Sequence, residues 1–173
     1  MSVHNKIAAA SAFPTFNWPT VGGQSGHPVA AGKWHILMVY RGKHCPLCKR
    51  HFKELESLLP QFKAMGVGVS AVSADPKEKA SADVQGEGWS FPVAYDLSLD
   101  DMRKLGLYIS SPRSPEETDR PFAEPGMFII NPDGKVQTVL VGNASYSRPD
   151  LNIVLAGLKF TIEKSMPVRG TMD

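Results

Sequence analysis

The sequence predicts an α/β fold in which a central mixed β-sheet is flanked by helices on both faces. Three observations carry this. Apolar runs of strand length alternate with stretches of helical periodicity, two later apolar runs meet across a Pro- and Gly-bearing turn, and a last amphipathic stretch follows that hairpin. At 173 residues the chain is long enough for one core, and it predicts a single domain over 1–173 with short flexible ends and an irregular, Pro-rich insertion at about 110–124.

Trp34 to Tyr40 (WHILMVY) is apolar and rich in β-formers, as a buried central strand is. Pro46 to Ala64 follows as a helix. Phe52, Leu55, Leu58, Leu59 and Phe62 recur at helical spacing, Pro46 suits a first turn and Gly66 a stop, and Pro60 kinks the helix or ends it early. Val67 to Ser73 gives the next strand, after which Asp75 as N-cap, with Pro76 at the first position, opens a short helix through about Val84. A loop from Gly86 to Ser90 leads to a short strand, Phe91 to Tyr95, and then to a helix from Ser98 to Leu107 with Leu99, Met102 and Leu105 on one face. Gly126 to Ile130 and Val136 to Val141 are strands joined by Asn131-Pro132-Asp133-Gly134 and pair antiparallel. Arg148-Pro149-Asp150 opens the last helix, which runs to about Lys164 with Leu151, Val154, Leu155, Leu158 and Ile162 on its apolar face.

Nineteen basic and 17 acidic residues leave a formal charge of +2, too small and too dispersed for a nucleic-acid footprint. The apolar run Ile7 to Ala12 is too short for a signal-peptide core or a membrane span, so no membrane partner and a cytoplasmic location are expected. The only two cysteines, Cys45 and Cys48, stand three positions apart. A structural staple is out of place in a reducing compartment, and so small a ring restricts the unfolded chain very little. Reactivity is the better reason for the pair.

That pair lies where a buried strand feeds a helix. Cys45 falls at or just before the helix N-terminus, where unpaired N–H groups and the helix dipole favour an anion, so its thiolate forms near neutral pH. Arg41, Lys43, His44, Lys49 and Arg50 surround it in sequence. Cys48, one turn into the helix, is expected to be more buried and to keep the higher pKa. Cys45 then attacks a disulfide and Cys48 displaces the product by closing the ring; with a peroxide as oxidant, Cys45 becomes a sulfenic acid and Cys48 condenses with it.

Cys45-Pro46-Leu47-Cys48-Lys49 after a hydrophobic strand resembles the active site of thioredoxin-fold proteins, and Glu124-Pro125-Gly126-Met127-Phe128-Ile129-Ile130 is similar to the segment where those folds carry a cis-proline facing the cysteines. Trp18-Pro19, the extended middle section and Phe128-Ile129-Ile130-Asn131-Pro132-Asp133-Gly134 extend the resemblance to the AhpC/TSA (redoxin) branch, the peroxiredoxin-like proteins, over roughly residues 15 to 165. The resemblance implies a thioredoxin-like fold with peroxiredoxin-like extensions. It also implies catalysis by Cys45 and Cys48, with Arg41, Lys43, His44, Pro46 and Pro125 as thiolate-tuning or substrate-docking residues. No cofactor and no metal are implied. The partners it implies are a thiol or disulfide substrate and a thiol electron donor of thioredoxin or glutathione type, with a homodimer admitted by the resemblance alone.

Two departures weaken the peroxidase side. The family carries Thr or Ser three residues, and Pro seven residues, before its peroxide-attacking Cys, and here these positions hold Gly42 and Met38. Pro125 stands where the family has an Arg before the later strand. The sequence therefore favours a thiol-disulfide oxidoreductase. A thiol-dependent, antioxidant peroxidase, with Cys45 peroxidatic and Cys48 resolving, stands as the alternative, and a non-catalytic redox sensor or docking domain as a further one.

The ordinary readings compete at each remaining residue. Zinc at the cysteine pair lacks the four closed ligands of a structural site. His44 reads as a neighbour that tunes Cys45 rather than an obligate base, and His51 as a surface residue. His35, Trp18, Trp34 and Trp89 read as packing, and Asp75, Asp96, Asp100 and Asp101 as helix caps without catalytic role. Ser145 to Arg148, followed by Pro149 and Asp150, reads as helix initiation first and substrate contact second. The insertion at 110–124 reads equally as a surface loop or as a segment overhanging the thiols.

Overall fold

In the computed structural model, which describes residues 6–172, the alternation of apolar and apolar-facing residues along the first strand sets two cores. Ile36 and Met38 of β1 (Trp34–Val39) face one side, and Leu37 and Val39 face the other. The first side is covered by α1 (Pro46–Ala64) and, later in the chain, α4 (Leu151–Glu163), through Phe52, Leu55, Phe62, Leu151 and Leu158. The second is covered by Met102 and Leu105 around α3 (Leu99–Lys104) and by the N-terminal aromatics Phe13, Phe16 and Trp18. The sheet is thus buried on both faces, as its near-continuous hydrophobic strands require.

Between these lie β2 (Val67–Val72), α2 (Lys77–Glu87), β3 (Val93–Ala94), β4 (Ile109–Ser110), β5 (Phe122–Ala123), β6 (Gly126–Ile130) and β7 (Val136–Val141). The main sheet has the order β3-β2-β1-β6-β7, with β1–β2 and β2–β3 parallel and β1–β6 and β6–β7 antiparallel. Val39 pairs with Gly126, and Gly126 pairs with Val141. The end of β1, the start of β6 and the end of β7 therefore meet at one sheet edge, and the site is built there.

Several expectations are revised. Pro60 does not end α1, which runs to Ala64. Asp75 does not cap α2; Pro76 takes the N-cap position without a side-chain bond, and the Asp75 carboxylate is buried and turned toward the turn before α1. The strand expected at Phe91 to Tyr95 is only Val93–Ala94, and the helix expected from Ser98 to Leu107 is Leu99–Lys104. The insertion is not wholly irregular, because β4 and β5 pair antiparallel at its base. Of the ends expected to be flexible, residues 1–5 and 173 lie outside the described residues. None of the described helices is long and apolar enough to cross a membrane.

Candidate active site

Cys45 is the N-cap of α1, in extended conformation, and its sulfur accepts the Cys48 backbone N–H at 3.3 Å. Both cysteines are free thiols, 1% and 0% exposed, and the pair approaches to 2.9 Å. This geometry divides them. The Cys48 side chain donating to its sulfur, aided by the Cys48 N–H, Arg41 and Arg148, outweighs burial and brings the Cys45 thiol from an ordinary 9.0 down to about 5. Burial, and then its role as donor to Cys45, pushes the Cys48 thiol well up.

The turn that delivers Cys45 is fixed from below. Gly42 has φ +126, which favours glycine, and a Cβ there would lie 2.8 Å from both Asp75 carboxylate oxygens. Asp75 accepts the Lys43 backbone N–H at 2.6 Å, and the Gly42 carbonyl accepts the Cys45 N–H at 3.1 Å. Any side chain at position 42 would displace the carboxylate that holds the turn.

Arg41 joins the thiols through its backbone, donating to Cys48 Sγ at 3.4 Å, and through its guanidinium, whose charge favours the Cys45 thiolate. That guanidinium is also held by the insertion. Its Nε is 3.0 Å from Glu124, its Nη2 is 3.7 Å from Glu117, and its centre lies 4.7 Å above the Phe122 ring. The insertion is thereby latched to the residue that serves Cys45, and Arg113–Glu117 and Lys79–Asp119 pairs add to the latch.

The other sequence candidates are placed differently. Pro46 is the exposed first residue of α1. The Lys43 side chain is exposed and makes no contact with either sulfur among the described residues; its backbone N–H is what the turn uses. His44 packs edge-on against Phe122, ring centres 4.6 Å apart, with neither ring nitrogen hydrogen-bonded, and burial and then Arg41 lower its pKa. It is thus a neutral neighbour. Lys49 is turned away to Asp83 and Glu87, at 3.2 and 3.3 Å. Pro125 is buried beside the end of β1, but no cis peptide bond occurs among the described residues, which corrects the cis-proline expectation. Its carbonyl instead accepts the Gly142 N–H at 2.9 Å and ties β6 to the loop after β7.

His51 is not a surface residue. It is 8% exposed, and Nε2 donates to the Pro149 carbonyl at 3.0 Å, holding the same loop against α1. His51, Pro125, Arg148 and Pro149 line a cavity of about 230 Å³ next to the thiols, with Met38, Val39, Leu140 and Val141 as apolar wall.

The residue whose contact with the thiols the sequence did not foretell is Arg148, there read as substrate contact only second. Its Nη2 is 3.0 Å from Cys48 Sγ and 3.5 Å from Cys45 Sγ, and its Nε donates to the Ser145 carbonyl at 2.6 Å. Local signals there speak first of helix initiation, which Asp150 performs by accepting the N–H groups of Asn152 and Ile153. The one available signal was topological: an antiparallel β6–β7 hairpin returns the chain to the edge where β1 ends.

Solved structures share this architecture. A peroxiredoxin-like protein from Aquifex aeolicus superposes with a TM-score of 0.75 at 20% identity, covering 90% of this chain and 88% of that one. Among curated proteins, the thiol-disulfide oxidoreductase ResA of Bacillus subtilis is 29% identical over 113 residues, 65% of this chain and 55% of ResA. A peroxiredoxin of Treponema denticola is 26% identical over 120 residues, 63% of this chain and 51% of that protein. The chain spans about half the length of these curated relatives. Residues 9–139 match the AhpC/TSA family, and the chain belongs to that family.

Proposed function

We propose that the chain is a thiol-disulfide oxidoreductase in which Cys45 attacks and Cys48 resolves. The observation that carries this reading is the inequality of the pair: a thiol held at about 5 on a helix N-terminus, beside a buried thiol pushed well up and within bonding distance. The Cys45 thiolate attacks one sulfur of a substrate disulfide and expels the other as a thiol. Cys48, deprotonated, then attacks Cys45 Sγ, closes the Cys45–Cys48 disulfide and releases the second thiol. Two electrons pass to the substrate. A thiol donor, of thioredoxin or glutathione type, returns the pair to the dithiol.

The likeness to ResA supports the reading, as does Gly42, where a peroxide-holding hydroxyl has no room. Two cysteines spent on one reactive pair fit a reducing, cytoplasmic setting. Ile153 and Phe160, exposed on α4, offer apolar surface for a second copy. The test is turnover of a disulfide substrate with a thiol donor. Wild-type rates well above those of Cys45→Ser support the proposal, and equal rates overturn it.

One observation favours peroxide reduction as a second reading: Arg148 places a donor 3.5 Å from the Cys45 sulfur, on the side where a peroxide's leaving oxygen needs one, and the Arg41 charge adds to it. Stopped-flow oxidation of the reduced chain by hydroperoxide decides it, since a rate no faster than that of a free thiol leaves disulfide exchange as the activity.

A further inference from the structure

Resting on that reading, a second question is how Cys48 becomes a nucleophile at all. Among the described residues, the groups at its sulfur are the Cys45 side chain on α1, the Arg41 N–H from the turn after β1, and Arg148 Nη2 from the loop after β7. Tyr40, at the end of β1, lies beyond them. No carboxylate touches it.

Arg148 differs from Arg41 in what it faces. Arg41 is shared with Glu117 and Glu124, whereas Arg148, half-buried, has no carboxylate partner among the described residues. Its guanidinium instead bonds one carbonyl and the two sulfurs. A desolvated guanidinium without a counter-ion favours an anion on the groups it touches. Before attack that anion is Cys45. Once Cys45 enters the mixed disulfide its charge is gone, and the remaining ionisable partner is Cys48, already the nearer of the two.

We infer that Arg148 is a catalytic residue of the resolving step, holding the Cys48 thiolate as it attacks Cys45 Sγ. The proton that Cys48 gives up balances the one that the departing thiolate takes, so the step forms one S–S bond, breaks one, and consumes no further reductant. The same contact stabilises Cys48 as leaving group when a donor thiol reopens the disulfide at Cys45. The loop that carries Arg148 is pinned by three bonds, Arg148 Nε to Ser145, His51 Nε2 to Pro149 and Gly142 N–H to Pro125, so the guanidinium is preorganised.

A neutral chromogenic disulfide, dipyridyl disulfide, separates the steps, because attack by Cys45 releases one thiopyridone and resolution by Cys48 releases the second. In Arg148→Gln the second phase slows at least tenfold more than the first, and its pH midpoint moves up by about one unit, a tenfold change in thiolate population. Arg148→Lys, which keeps a charge, restores the midpoint toward wild type. A second phase whose rate and midpoint are unchanged in Arg148→Gln overturns the assignment, and so does an equal fall of both phases in both variants, which marks a structural role. A wild-type chain with no first phase, or a Cys45→Ser variant that keeps it, overturns the underlying reading and this assignment with it.

Discussion

Gly42 carries more of the chemistry than its missing side chain suggests. Its positive φ and the Asp75 oxygens behind it make the turn, and the turn sets Cys45 on the helix N-terminus. Gly42→Thr, which restores the hydroxyl of the wider family, is expected to cost about 2 kcal/mol or more by strain and displacement, and to add no peroxidase activity. Thermal melts together with hydroperoxide kinetics check both halves. Arg41→Met is expected to raise the Cys45 midpoint by about one unit from its value near 5, read from thiolate absorbance or the pH dependence of alkylation. The placement of Cys45 at the start of α1 and of Cys48 one turn inside it was legible because a Cys-x-x-Cys at a strand-to-helix junction fixes both dipole and depth. Asp75 and Arg148 were not, since each acts across more than thirty residues on atoms with which it shares no sequence pattern.

Elements were legible where hydrophobic period and punctuation agreed. The bounds of α1 and of the β6–β7 hairpin match the reading from Pro46 to Ala64 and around Asn131-Pro132-Asp133-Gly134, because Pro, Gly and apolar spacing act locally. The N-terminus of α2 did not match, because a buried turn outbid the local capping role of Asp75. At α4 the local rule holds. Asp150→Ala is expected to lower stability by about 1 kcal/mol through loss of the bonds to Asn152 and Ile153, measured by urea unfolding. The insertion is a latch on Arg41. Replacing Glu117 and Glu124 together by Gln is expected to free it and to raise the alkylation rate of Cys45, 1% exposed in the latched state, several-fold at a pH where the thiolate is already formed. An unchanged rate would place the entry route on the Arg148 side.

At the scale of the molecule, the strand order explains why residues far apart in sequence share one site: β1, β6 and β7 end or begin at a single sheet edge. The same burial makes stability depend on pH through His35. Burial, and then His27, hold its pKa at about 4 against an ordinary 6.5, with Nε2 2.8 Å from Ser70 Oγ. The unfolded chain therefore binds the proton first, and stability falls as pH drops from 6.5 to about 4. The loss is up to ~3 kcal/mol, and it is expected to be absent in His35→Gln. The central claim, that Cys45 attacks and Cys48 resolves, is tested most directly by mass spectrometry of reduced Cys48→Ser and Cys45→Ser variants after a single exposure to a disulfide. A stable adduct on Cys45 in the first variant and little reaction in the second are expected. An adduct forming as fast on Cys48 in Cys45→Ser, or none on Cys45 in Cys48→Ser, would contradict it.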